Sequence, residues 1–156
     1  MPDMLVKLYD LPPVDPVLER LAADGIAVRT ARAPEKPAVL AWMDATFPFW
    51  TPEVEAAYGR MPVSCFLALR GQELLGFSCY DAICPNFFGP TGVLEAERRH
   101  GIGKGLLLAA LHAQKSQGYA YAIIGGVGPA AYYAKTVGAV MIEGSQPGIY
   151  NGLLFS

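Results

Sequence analysis

Little net charge and few metal-binding groups distinguish this sequence. Its 156 residues carry 12 Lys and Arg against 14 Asp and Glu, for a formal net charge of −2. A domain that binds nucleic acid needs a basic surface, so we expect no nucleic-acid partner. The three cysteines, Cys65, Cys79 and Cys84, lack the spacing of metal ligands. We expect them to be reduced, part-buried thiols, and the sequence predicts no metal site.

Long apolar runs are also absent, although 53% of the residues are hydrophobic. No run approaches the ~20 apolar residues that a membrane-spanning helix needs. The N-terminal residues lack the basic-then-apolar order of a secretory signal. We therefore expect a cytoplasmic protein with no membrane partner. The length predicts one domain with a substantial core.

The most informative segment is a glycine-rich turn that leads from a predicted strand into a predicted helix. Glycine lets backbone N–H groups approach a ligand closely. The first N–H groups of a helix have no internal partner and lie at the positive end of its dipole. Such a turn, rich in basic side chains, predicts a cradle for a diphosphate group. The predicted cradle consists of Arg98, Arg99, His100, Gly101, Ile102, Gly103, Lys104 and Gly105.

Two other phosphate-binding motifs fit the sequence less well. A P-loop has Ser or Thr after its Gly-Lys pair, whereas Gly105 follows Lys104. The segment from Gly126 to Ala131 does match the G-x-G-x-x-A pattern of dinucleotide-binding folds. Too little chain follows it here to form the βαβαβ unit to which that pattern belongs.

The spacing resembles the acetyl-CoA signature of the GNAT superfamily of N-acyltransferases, R/Q-x-x-G-x-G/A after a strand that ends in valine. Arg98 takes the first position of this signature, and Gly101 and Gly103 take the glycine positions. Val93 takes the strand position that contacts the pantetheine arm in the family. A second block, from Ala130 to Ala139, resembles the family's A-x-x-F-Y-x-K-x-G-F, with one extra residue before the glycine.

The resemblance covers roughly residues 26–155 and implies an α/β (α+β) fold. The expected architecture is a mixed, mostly antiparallel central sheet flanked by helices. Two of its strands, near 91–93 and 119–125, are expected to splay apart and hold the pantetheine. Residues 1–25 are expected to be an N-terminal extension packed on a domain of residues 26–156.

Apolar periodicity and turn residues predict the elements along the chain. A short strand and a helix are predicted in the first 25 residues, at 4–11 and 16–23. The predicted order from there is strand 26–31, helices 34–46 and 51–58, strands 63–69, 73–80 and 87–94, helix 102–117, strand 119–125, helix 129–135, and closing strands 139–143 and 149–155.

The resemblance implies that an acetyl group moves from acetyl-CoA to an amine by direct attack in a ternary complex. Tyr133 takes the family position whose hydroxyl protonates the leaving thiolate. A phenol with a pKa near 10 retains that proton at neutral pH. The alternative for Tyr133 is a packed aromatic side chain whose hydroxyl has a backbone partner. Its neighbour Tyr132 is expected to belong to the core.

The general base is not evident, because the strand before the cradle carries no Asp or Glu. Asp81, after the preceding hairpin, is the nearest candidate, and we interpret it as a turn-forming residue. Glu95 is interpreted as a solvated loop acid. The acidic residues of the early helices, Asp44, Glu53 and Glu55, are interpreted as solvated helix charges.

Aromatic residues are dense around Pro48, where a loop between two helices is expected to cover the acceptor site. Phe47, Phe49 and Trp50 would form an apolar wall there, suited to an uncharged or aromatic acceptor. A homodimer surface is the alternative for these side chains. The acceptor is expected to be a small-molecule amine, or the N-terminal or side-chain amine of a peptide.

Two other functions remain open at this stage. The chain could be a non-catalytic acyl-CoA-binding or sensor module, which would keep the cradle without turnover. An apolar dimeric scaffold would have no affinity for CoA.

Overall fold

The computed structural model describes residues 1–155; Ser156, the last residue of the predicted domain, lies outside them. A seven-stranded sheet has the order β2-β3-β4-β5-β6-β1-β7. Its strands are β1 Met4–Lys7, β2 Ile26–Thr30, β3 Cys65–Arg70, β4 Glu73–Tyr80, β5 Phe87–Val93, β6 Tyr121–Ile124 and β7 Val140–Met141. The helices are α1 Asp15–Ala23, α2 Lys36–Thr46, α3 Thr51–Tyr58, α4 Ile102–Ser116 and α5 Ala130–Val137.

The sheet is antiparallel except between β5 and β6. These two strands pair only at Phe87 opposite Ile123 and Phe88 opposite Ile124. Beyond Phe88, β5 continues to Val93 beside β4 alone. The two parallel strands therefore splay apart after Phe88. The predicted mixed, mostly antiparallel sheet with a splayed pair of strands is confirmed.

The N-terminal residues direct the chain away from β5 where β6 ends. Asp3 accepts a hydrogen bond from the Gly126 N–H at 2.9 Å. The Val127 N–H donates to the Pro2 carbonyl at 2.8 Å. Gly126 has a φ of 56°, a conformation that glycine adopts without strain. These contacts tie the chain after β6 to the N-terminal residues, and β5 has no partner there.

The strand predicted at 149–155 is absent from the structure. That segment begins in a 3-10 helix, Gly148–Tyr150, and continues without strand pairing to residue 155. The position beside β6 is occupied instead by β1, which pairs with β6 on one edge and β7 on the other. The segment predicted as an N-terminal extension thus contributes a strand inside the sheet. The other predicted closing strand, at 139–143, is present as the shorter strand β7, Val140–Met141.

Two apolar clusters cover the two faces of the sheet. One packs α4 and α1 on the sheet and includes Leu106 and Leu111, both fully buried. The other packs α2 and α3 on the opposite face and includes Met43 and Phe77. Because α4 is buried on most sides, the first turn of this helix is held firmly against the sheet. No helix in residues 1–155 is long and apolar enough to cross a membrane.

Candidate functional site

The predicted cradle contains a run of unpaired backbone N–H groups at the start of α4. Gly105 is the first residue whose N–H is bonded within the helix, to the Gly101 carbonyl at 3.0 Å. The N–H groups of residues 99–104 have no acceptor within residues 1–155. Arg99 and Gly101 both adopt left-handed conformations, with φ of 70° and 86°. Successive free N–H groups in such a turn form a concave site for an anion.

Basic side chains surround these N–H groups. Arg98, Arg99 and His100 are exposed, and Lys104 is half-exposed. The Arg98 Nε donates to the Val93 carbonyl at 3.1 Å, which ties the cradle to the end of β5. The positive charge is therefore concentrated beside free donors, as phosphate recognition requires.

The other predicted cradle residues contribute in different ways. Ile102 is 1% exposed, so its side chain anchors the turn in the core and only its backbone faces the cradle. A Cβ on Gly103 would come no closer than 3.9 Å to another atom, Cγ2 of Val93. A Cβ on Gly105 would lie 2.7 Å from Cδ1 of Leu21. Gly105 thus lies behind the cradle, where it allows α1 to pack closely on α4.

Arg20 is a basic residue at the cradle that no sequence pattern indicated. A Cβ built on Gly101 would lie 3.2 Å from the Arg20 Nη2. The guanidinium therefore reaches the first turn of α4 from α1. No local motif signals this contact, because α1 and α4 are far apart in the chain and meet only through packing.

A cavity of about 450 Å³ lies where β5 and β6 splay apart. It combines parts of the chain that are distant in sequence. The walls include residues 89–91 of β5, Ile124 at the end of β6 and residues 125–129 after it, Glu53 of α3, Tyr133 of α5, and the aromatic side chains of Trp50 and Tyr150.

Strand β5 connects the cavity with the cradle. Thr91 lines the cavity. The side chain of Val93 lies beside Gly103 in the cradle, because its Cγ2 atom is the one that a Cβ on Gly103 would approach. Two residues of a strand span only about 7 Å. The edge of β5 that faces β6 has no strand partner after Phe88. A strip of backbone without a strand partner therefore leads from the cradle to the cavity, with the Val93 carbonyl bonded to Arg98.

Tyr133 faces the cavity, whereas Tyr132 faces outward. Tyr133 is 8% exposed and lines the cavity. Burial raises the pKa of Tyr133 to about 12, so its hydroxyl is protonated at neutral pH. No hydrogen bond to that hydroxyl is present within residues 1–155. Tyr132 is 39% exposed, so the expectation that it belongs to the core is wrong.

Most of the candidate carboxylates have structural partners. Asp81 is buried and accepts a hydrogen bond from the Asn86 N–H at 2.7 Å, which confirms it as a turn-forming residue. Asp44 accepts from the Thr51 hydroxyl at 2.7 Å. Glu55 lies 3.8 Å from the Lys36 amine.

Glu53 differs from these acids because it lines the cavity. Its side chain is half-buried, and desolvation raises the pKa of the carboxyl. The interpretation of Glu53 as a solvated helix charge is therefore wrong. In the sequence it is one of three acids on the early helices, and nothing local separates it from the others.

The aromatic segment around Pro48 divides between the core and the cavity. Phe47 stacks on Trp50 with ring centroids 5.6 Å apart. The ring of Phe47 also packs against the sheet at Gly92. A Cβ built on Gly92 would lie only 2.9 Å from Cζ of this ring. Phe49 and Trp50 line the cavity. Phe155 from the C-terminal segment stacks on Phe49, with centroids 6.1 Å apart.

Comparison with known proteins gives matches in structure alone. No family model matches the chain, and no curated protein is similar to it in sequence. It superimposes on the GCN5-related glucosamine N-acetyltransferase region of a fungal multi-domain GH3 β-N-acetylglucosaminidase with a TM-score of 0.74. This match has 17% identity and covers 90% of this chain and 19% of that one. The chain has the GNAT fold.

Two bacterial GCN5-related N-acetyltransferases have the same fold. The protein from Sphaerobacter thermophilus gives a TM-score of 0.67 and 18% identity, over 90% of this chain and 48% of that chain. The protein from Kribbella flavida gives a TM-score of 0.54 and 18% identity, over 90% and 53%. The GNAT fold predicted from the sequence is confirmed. This chain covers between about a fifth and about half of the length of the three structures.

Proposed function

We propose that this GNAT-fold chain transfers an acetyl group from acetyl-CoA to the amino group of an acceptor. The observation that carries the proposal is the run of free N–H groups at residues 99–104, continued by unpaired β5 backbone to the cavity that contains Tyr133. Acetyl-CoA supplies an activated thioester and carries phosphates that suit a basic N–H cradle.

The cradle residues would hold the diphosphate of the coenzyme. The free N–H groups of residues 99–104 donate to phosphate oxygens, and Arg98, Arg99, His100 and Lys104 add positive charge. The unpaired edge of β5 near Val93 offers backbone groups to the pantetheine amides. A backbone N–H near Val93 would polarise the thioester oxygen as negative charge develops on it.

Tyr133 would act as the general acid. Tyr133 lines the cavity, and burial raises its pKa to about 12. It therefore holds a proton at neutral pH and can donate it to the departing thiolate sulfur.

The test is release of free CoA from acetyl-CoA in the presence of a panel of amines, together with the melting temperature with and without CoA. We expect CoA to raise the melting temperature, since a ligand that binds only the native state stabilises it. We expect thiol release that depends on one class of amine. Binding without amine-dependent release would favour a sensor module, and no binding at millimolar CoA would contradict the proposal.

A further inference from the structure

The charge of the cavity identifies a class of acceptor. We propose that the acceptor is a small primary amine with one positive charge and an apolar or aromatic body, and that Glu53 binds its ammonium group and then takes its proton. This inference rests on the proposed acetyl transfer and deepens it, because it names the substrate class and the general base.

Glu53 is the only charged side chain on the described cavity wall. The other lining residues are glycine, proline, aliphatic and aromatic, with one threonine, Thr91, and one methionine, Met1. A single carboxylate in such surroundings favours a ligand with a single cationic group. A second ammonium group on the ligand would have no carboxylate to meet and would be desolvated at a cost.

The carboxylate of Glu53 has no cationic partner within residues 1–155. Two basic residues of the preceding segments pair with other acids, Lys36 with Glu55 and Arg29 with Glu35. A half-buried carboxylate without a cationic partner is destabilised by desolvation, and this raises its pKa, although a hydrogen bond from its own backbone opposes the shift. A bound ammonium group would offset that cost directly, because an opposite charge nearby favours the ionised form.

Aromatic rings beside Glu53 suit the same ligand. Trp50 and Tyr150 line the cavity with it, and Phe49 lies at the exposed rim, 71% accessible. Aromatic faces attract a cation within about 6 Å of the ring centroid and also pack against flat apolar groups. A volume of about 450 Å³ lies within the range for small-ligand sites. It accommodates a compact amine beside the thioester end of the coenzyme.

The proton balance of the reaction assigns one step to each residue. The ionised Glu53 takes one proton from the bound ammonium group and leaves a neutral amine. The nitrogen lone pair forms the C–N bond to the thioester carbon, and the C–S bond breaks with its electron pair going to sulfur. Tyr133 protonates that sulfur and regains a proton, through solvent, from the nitrogen. Glu53 releases its proton to solvent, so each turnover yields an amide, a free thiol and one H⁺.

Other titratable groups near Glu53 are few. Tyr133 and Tyr150 lie on the cavity wall, and burial raises the pKa of both. The Met1 residue also lines the cavity. Cys79 lies behind the sheet face, fully buried, where the charge of Glu53 helps to raise the pKa of its thiol. Asp3 and Cys84 also act on Tyr150 from behind this wall. The part of the pH dependence that is present in wild type and absent in Glu53→Gln would therefore report on Glu53.

The experiment compares Glu53→Gln with Glu55→Gln, a matched control on the same helix whose side chain is exposed and pairs with Lys36. Calorimetry in the presence of CoA measures binding of 2-phenylethylamine, of its neutral isostere 2-phenylethanol and of the polycation spermidine. Wild type and Glu55→Gln should bind the monoamine at least about tenfold more tightly than the alcohol or spermidine. Glu53→Gln should bind the amine and the alcohol equally.

The pH profile of kcat/KM for 2-phenylethylamine separates a base from a binding group. In wild type, kcat/KM should fall as the pH decreases through the raised pKa of Glu53 and reach a plateau above it. Glu53→Gln should lower kcat by about 10²–10⁴-fold. Its kcat/KM should rise continuously toward the pKa of the free amine, because only neutral amine can react.

Two results would overturn the proposals separately. If wild type acetylates the amine and Glu53→Gln does so with the same rate and pH profile, the assignment of Glu53 is wrong while acetyl transfer stands. If no amine is acetylated but binding of 2-phenylethylamine still requires Glu53, the proposed transfer is wrong and the ammonium site stands.

Discussion

The cradle and the cavity lie at the two ends of β5 but are built in different ways. The cradle is formed by one contiguous segment, residues 98–104, and the groups that would bind the ligand are mainly backbone N–H donors. The cavity is formed by α3, β5, the turn after β6, α5 and the C-terminal segment. The groups that would bind and activate a ligand there are side chains. A backbone site can keep its ligand while the surrounding sequence varies, whereas a side-chain site sets the acceptor. This difference suggests that coenzyme affinity and acceptor choice can be altered separately.

The largest expected effect is on the cradle. Gly103→Val should abolish measurable acetyl-CoA binding while the domain stays folded. A Cβ at this position has room, 3.9 Å from Cγ2 of Val93, but the two methyl groups beyond it would occupy the space in front of the free N–H groups. Calorimetry with acetyl-CoA and a far-ultraviolet circular dichroism spectrum measure the two quantities.

Arg98→Ala is the matched test of a backbone-built cradle. This variant removes a side chain and leaves the N–H groups in place, so acetyl-CoA affinity should fall less than in Gly103→Val. A greater loss in Arg98→Ala would mean that side chains, not the backbone, hold the phosphates.

The next largest expected effect is on catalysis in the cavity. Tyr133→Phe should lower kcat by about 10²–10⁴-fold with little change in the dissociation constant for acetyl-CoA. The phenyl ring preserves the packing, and only the hydroxyl of this cavity-lining residue is lost. Steady-state kinetics measures kcat, and calorimetry measures the dissociation constant for acetyl-CoA.

Tyr132→Phe is the control for Tyr133→Phe, since Tyr132 is 39% exposed and does not line the cavity. It should leave kcat unchanged. A defect in Tyr132→Phe alone would show that the other tyrosine is the acid.

The smallest effect concerns the turn that separates the two strands. Asp3→Ala leaves the Gly126 N–H without its acceptor. An unsatisfied buried donor costs about 1–3 kcal/mol, and the Gly126 N–H is part-buried, so the melting temperature should fall by roughly 2–12 °C for a chain of this size. Thermal denaturation measures this, with the exposed Asp10→Ala as the control. An equal fall in both variants would mean that Asp3 does not hold the turn.

Elements with local signals were predicted well from the sequence. The turn at Gly71-Gln72 joins β3 and β4 as predicted, because Gly71 with a φ of 63° suits a tight turn. Helix α3 has the predicted bounds, Thr51–Tyr58, since Pro52 at its start fits the first turn. The glycine pattern of the cradle was also evident, because contiguous residues build it.

Features that depend on long-range pairing were not predicted. Residues 149–155 are mostly apolar and aromatic, as in many strands. However, Met4–Lys7 occupies the position beside β6, and no local pattern reveals which segment takes that place. Glu53 was grouped with solvated charges, because its environment depends on the C-terminal Tyr150 and on the turn after β6. Sequence patterns therefore located the coenzyme site better than the acceptor site.

The most direct test of the central claim is amide hydrogen exchange, by NMR, for residues 99–104 with and without CoA. These N–H groups have no acceptor within residues 1–155, so they should exchange rapidly in the free chain and become protected when CoA binds, more than any other segment of similar exposure. CoA binding that leaves their exchange unchanged, or that protects the turn 125–129 alone, would contradict the assignment of the cradle.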